Sequence, residues 1–66
     1  MKVKYDKKVD AIYIEFARGK YSGSRKVSDS VLVDEDRNGK ILGVEILDAS
    51  KNVQKFDSSK FNFQSA

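Results

Sequence analysis

Asn38-Gly39 stands between two runs in which apolar residues alternate, SVLVDE at 30–35 and KILGVEIL at 40–47. This pair is the strongest short-range hairpin signal a sequence carries, because both residues tolerate positive φ. Period-two alternation on either side is the signature of half-buried strands. With Asn38-Gly39 as a two-residue type I′ turn, Arg37 opposes Lys40, Val33 opposes Val44 and Val31 opposes Ile46. Val31, Val33, Leu42, Val44 and Ile46 then share one face, and Leu32, Asp34, Glu45 and Leu47 the other. A three-residue loop closed by a bulge at Gly39 is the second arrangement. It shifts the pairing by one residue and makes an apolar face harder to assemble.

The first quarter of the chain has the same period. KVKYD alternates Val3 and Tyr5 with Lys2, Lys4 and Asp6, and AIYIEFA puts Ile12, Ile14 and Phe16 opposite Ala11, Tyr13 and Glu15. With KKVD as a polar turn between them, the two runs form an antiparallel hairpin. RGKYSGSRK, residues 18–26, reads as a glycine- and serine-rich loop, and KVSD as a short strand or the lead-in to the next one. After the last strand, the spacing of Val53 and Phe56 predicts a weak helix over 50–56, capped by Asp48 or Ser50. Phe61 and Phe63 suit a short strand or a tail that docks two rings, with low order over 57–66. The expected fold is α+β and β-rich: an antiparallel sheet of about four strands, in two hairpins, with one short C-terminal helix, in a single domain over 1–66.

Sixty-six residues bury roughly 60% of their unfolded surface and form a marginal domain. Such chains lean on a disulfide, a metal or a partner. Cysteine and histidine are both absent, which removes disulfides, thiolate and imidazole metal sites, and the usual nucleophiles and bases of catalysis. The expectation is therefore a non-enzyme with no catalytic residue and no cofactor. Self-association, as a dimer, is the support that remains. The strand at 40–47 strengthens it: Ile41 and Leu47 alternate against Val44 and Ile46, so the strand is apolar on both faces, whereas an antiparallel sheet normally leaves one face wet. The cover is either the C-terminal segment or a partner, a second copy or another small protein, held by Leu32, Ile41 and Leu47 with Glu45 as a charged contact. No apolar run approaches the length of a membrane span and no leader-like start precedes the first strand, so the chain reads as cytoplasmic.

Two other readings compete. DEDRNGKILGVE, residues 34–45, matches the calcium-loop pattern D-x-[DN]-x-[DN]-G-x5-E at Asp34, Asp36, Asn38, Gly39 and Glu45. A calcium loop works between two helices, and both flanks here have strand period. The stretch reads as a hairpin tip with an acidic wet face, and no metal site is expected. The second reading rests on charge. Residues 1–28 carry eight basic and three acidic side chains, residues 29–66 five and seven. Within the basic half, Arg18, Lys20, Arg25 and Lys26 offer phosphate contacts and Tyr21 a stacking surface, so nucleic-acid binding by 18–26 is the alternative function.

MKVKYDKKVDAIYIEF followed by VLVDEDRNGKILGVEILDASK resembles the small bacterial and archaeal family known as domain of unknown function 2283, over residues 1–52. The resemblance implies a small β-rich domain with a short helix after the last strand. It supplies no catalytic residue. It suggests an antitoxin-like or partner-binding role, since some members are encoded beside small toxin-like proteins. The lysine- and serine-rich loop and the phenylalanine-bearing tail are not part of that shared pattern.

Overall fold

Both expected hairpins form, and a fifth strand joins them. The computed structural model describes residues 1–61, with β1 at Lys2–Asp6, β2 at Ala11–Glu15, β3 at Tyr21–Ser28, β4 at Val31–Asp36, β5 at Ile41–Ile46, a single-turn helix α1 at Ala49–Asn52 and a 3-10 turn at Ser58–Lys60. All neighbours are antiparallel, in the order β1-β2-β5-β4-β3. Strands β3, β4 and β5 form a meander, and β2 lies beside β5, which makes a Greek key. The crossover at 16–20 is short because it passes over the end of β5. Phe16 N and Ala17 N both donate to Leu42 O, at 2.8 and 3.2 Å.

The third strand corrects the sequence reading. Glycine and serine in RGKYSGSRK suggested a loop, yet Tyr21–Ser28 pairs with β4. The strand is an edge, its residues are exposed except Gly23, and its register slips at both ends, between Tyr21 and Gly23 and between Lys26 and Ser28. An edge strand buries little, so it has no need of alternating apolar residues. Register irregularities also blunt an edge against pairing with other chains.

The tip of the β4–β5 hairpin is a second correction. Asp36 N donates to Lys40 O at 2.9 Å and Gly39 N to Asp36 O at 3.0 Å, enclosing three residues, not two. Gly39 has φ +81° while Asn38 has none of the positive φ that a type I′ turn demands. The Asp36 carboxylate decides it, accepting from Asn38 N and Lys40 N, each at 2.9 Å. The register nevertheless matches the expected one further down: Val33 opposes Val44 and Val31 opposes Ile46. Leu42 is an extra residue between the pairs Glu35–Ile41 and Asp34–Gly43, and this bulge takes back the one-residue shift made at the tip.

One face of the sheet therefore collects Val3, Tyr5, Ile12, Ile14, Val31, Val33, Val44 and Ile46. The C-terminal segment covers its Tyr5 end. Tyr5, Phe56 and Phe61 form a ring cluster with centroids 4.9 to 5.9 Å apart. The helix is shorter than the expected 50–56, and its cap comes from elsewhere. Asp48 is at the N-cap position with φ 49° but makes no side-chain cap bond. Asp10, in the β1–β2 turn, accepts from Ser50 N and Oγ and from the Tyr5 hydroxyl, while its carbonyl accepts from Ala49 N. Ala49 is fully buried there. Phe63, expected to dock with Phe61, lies outside the described residues; the second docked ring belongs to Phe56.

Candidate functional site

The opposite face is built around a buried carboxylate. Asp34 is 5% exposed although it sits on the face expected to be wet. Cross-strand pairs Tyr13–Glu45, Glu15–Gly43, Leu32–Glu45 and Ser24–Asp34 place those side chains, with Lys2, Lys4 and Lys26, on this face. Ser24 Oγ donates to Asp34 Oδ1 at 2.6 Å. Its one proton thus committed, Ser24 accepts the Tyr21 hydroxyl at 2.7 Å. From the other side, the Tyr13 ring lies over Gly43, the cross-strand partner of Asp34, so the charge of Asp34 acts on its hydroxyl. Two tyrosines from different strands thus meet at one carboxylate, Tyr21 bonded to it through Ser24 and Tyr13 lying beside it over Gly43. No buried side-chain polar atom among the described residues lacks a partner.

Gly43 is what makes room for this. A Cβ there would lie 2.6 Å from Ile14 O, 2.8 Å from the Tyr13 hydroxyl and 3.0 Å from Tyr13 Cζ, so the ring crosses β5 where a side chain is missing. Burial and the charges of Asp34, Glu15 and Glu45 disfavour the phenolate, and raise the Tyr13 pKa. Burial, then a hydrogen bond with Asp34 and the repulsion of its charge, push the Glu45 carboxyl above its ordinary value. Two carboxyls can hydrogen-bond only when one of them carries a proton, and the raised Glu45 carboxyl is the one that holds it. The site can orient two rings and hold a proton.

The residues singled out from the sequence are distributed unevenly. Leu32 and Glu45 are cross-strand partners, and Leu47 follows next to them, its N donating to Ser30 O at 2.7 Å. Ile41 does not join them. The bulge sets it opposite Glu35, outside the alternation with Leu47 and about 20 Å along the strand from it, and leaves it 49% exposed. Of the basic group, Arg25 turns to the core side and pairs with Glu35, Nη2 to Oε2 at 2.7 Å, while Lys26 opposes Leu32 on the open face. Arg18 and Tyr21 line one cleft, and Lys20 is exposed in the crossover. The calcium letters scatter: Asp34 is committed to Ser24, Asp36 to the turn and Glu45 to Asp34. No group of three or more acidic side chains among the described residues is placed to hold a metal ion. No described helix is long and apolar enough to cross a membrane. Tyr13, Ser24 and Gly43 were missed as site residues. A glycine amid ILGVEI was the available signal, since a strand-interior glycine marks a close approach.

The family described as a protein of unknown function, DUF2283, matches this chain over residues 2–50. An uncharacterised protein of the archaeon Methanocaldococcus jannaschii is 39% identical over 62 residues, which is 91% of this chain and 53% of the relative. The chain thus spans about half the length of that relative. No solved structure matches it. The match covers all five strands and the entry into α1, so Gly43, Asp34 and the Tyr13 position all fall inside the shared region, and the chain belongs to the DUF2283 family of proteins of unknown function.

Proposed function

We propose that the protein is a non-catalytic interaction module that self-associates through the apolar face of its sheet. The observation that carries this is how little of that face is sealed. Among the described residues the buried apolar side chains are Ile12, Val33, Leu42 and Ala49. Val3, Ile14, Val31, Val44 and Ile46 remain half-buried, and Phe16, which follows β2, is 50% exposed. The C-terminal segment covers the end of the face near Tyr5, whereas Val3, Ile14 and Phe16 lie toward the other end. Burying such residues is worth about 1.5–3 kcal/mol each when complete, a large sum beside the stability of so small a domain. A second copy supplies that cover symmetrically, and a small partner protein, in the antitoxin-like arrangement, would use the same surface.

Sedimentation equilibrium across micromolar concentrations tests the proposal. A monomer–dimer equilibrium is expected, and Phe16→Glu, at an exposed position, shifts it to monomer without loss of fold. A wild-type chain that stays monomeric at every concentration refutes self-association.

A further inference from the structure

The open face carries a cleft that self-association through the other face leaves free. It has a volume of about 400 Å³ and lies between the crossover and the sheet, lined by Lys2, Tyr13, Glu15, Arg18, Tyr21 and Leu42 among others. That volume is in the range of small-ligand sites. Its two rings are positioned before any ligand arrives: the Tyr21 hydroxyl is bonded to Ser24 and through it to Asp34, and the Tyr13 ring packs over Gly43. Its two cations, Lys2 and Arg18, form no ion pair among the described residues, where the one ion pair is Arg25–Glu35. Rings ask for a planar apolar body and free cations ask for an anion. Glu15, the acid of the wall, accepts from an exocyclic amine.

We infer that this cleft binds an amino-bearing nucleobase together with its phosphate, the base against Tyr13 and Tyr21 and the phosphate at Arg18 and Lys2. Fixed aromatic surfaces stack bases at little entropic cost, and a guanidinium matches a phosphate in a bidentate fork. The geometry separates this site from the wider basic stretch. Arg18 and Tyr21 belong to the cleft, whereas Arg25 is paired on the other side of the sheet. A free mononucleotide and a nucleotide within a single strand present the same chemistry.

The test is a titration of isotope-labelled protein, read by amide chemical shifts, with adenosine monophosphate, a short deoxyadenylate strand, and ribose 5-phosphate. Saturable shifts at Tyr13, Gly19, Tyr21 and Gly43 with either adenine probe are expected. Tyr21→Ala and Arg18→Glu each weaken binding roughly tenfold or more, as loss of a stacked base or a phosphate contact does. Both side chains are exposed, Tyr21 at 59%, so these variants keep the fold. Lys7→Glu, the same charge change in the β1–β2 turn, leaves affinity within about twofold. Equal saturation by the mononucleotide and the strand assigns the cleft to the free nucleotide; a strand that binds about tenfold tighter assigns it to single-stranded nucleic acid. Ribose 5-phosphate binding as tightly as adenosine monophosphate overturns the inference, because charge alone then explains it. So does the absence of saturable shifts with both adenine probes up to about 10 mM.

Discussion

Gly43→Ala is the sharpest perturbation this sheet offers. The added methyl meets Ile14 O at 2.6 Å and the Tyr13 hydroxyl at 2.8 Å. A side chain can swing away, but Ile14 O belongs to the β2 backbone, so β2 and β5 must part locally or the strand must buckle. Overpacking of that kind costs about 1–3 kcal/mol. A loss of about 1–3 kcal/mol is expected from a chain whose total, at 0.05–0.15 kcal/mol per residue, is only about 3–10 kcal/mol. Urea unfolding followed by far-ultraviolet circular dichroism reads it as a large fall in midpoint at constant slope. Gly23→Ala is the control, since a Cβ there meets nothing within 4 Å and the position needs no positive φ. It should move stability by no more than about 0.5 kcal/mol. In a Tyr13→Ala background the cost of Gly43→Ala should shrink but persist, because the carbonyl contact remains. If Gly43→Ala proves no more damaging than Gly23→Ala, the close approach of Tyr13 and Ile14 to β5 is wrong.

Glu45→Gln tests the proton held on Glu45. The raised pKa of Glu45 means the folded state binds more protons than the unfolded one, so this group's contribution to stability is present at low pH and lost as pH rises through the folded value. Gln donates to Asp34 without that proton, so the variant should be more stable than wild type near neutrality, the difference closing as pH falls to ordinary carboxylate values. Asp10→Asn has the opposite sign. Bonds from Ser50 and then Tyr5 hold the Asp10 pKa low, so its contribution is present above the unfolded value and lost as pH falls through the folded one. The variant should unfold earlier than wild type at pH 7, and the two thermal curves should meet in strong acid. A calcium titration followed by amide shifts should give no local saturable change at Asp34, Asp36 and Glu45 below millimolar ion; such a change would restore the metal loop. Deleting Arg37 should leave a two-residue Asn38-Gly39 loop closed by the same Asp36–Lys40 pair, with cross-strand contacts from Val33 to Val44 intact by nuclear Overhauser measurements.

The two hairpins were legible because their strands bury one side, and burial writes itself as alternation: Val3-Tyr5, Ile12-Ile14, Val31-Val33 and Val44-Ile46 are all where the pattern put them. The edge strand β3 was illegible for the converse reason, since seven of its eight residues are exposed and exposed positions accept glycine and serine. The helix cap was misplaced because local sequence shows only local partners, whereas Ser50 finds its acceptor forty residues away in Asp10. Asp34 was read as a solvated acid for a similar reason. Its burial depends on Ser24 and Tyr13, contributed by two other strands, and on a glycine in a third.

The tip and the bulge explain each other. Had the three-residue loop set the register alone, the offset seen in Glu35–Ile41 would continue, with Val33 opposite Gly43 and Leu32 opposite Val44. One strand's apolar side chains would then face the other's polar ones. A two-residue turn avoids this without a bulge, yet the chain takes the longer loop because Asp36 can accept two backbone N–H groups there. The bulge restores the apolar face and does two further things. It turns the Leu42 carbonyl into the double acceptor that anchors Phe16 and Ala17, which is how a crossover of five residues reaches the far edge. It also sets Gly43 opposite both Asp34 and Glu15, and the Tyr13 ring crosses β5 over it beside the buried carboxylate. The letters that imitate a calcium loop are thus spaced by the needs of a hairpin: an acid to hold the turn, a glycine to close it, and a second acid placed by the bulge beside the first strand's Asp34.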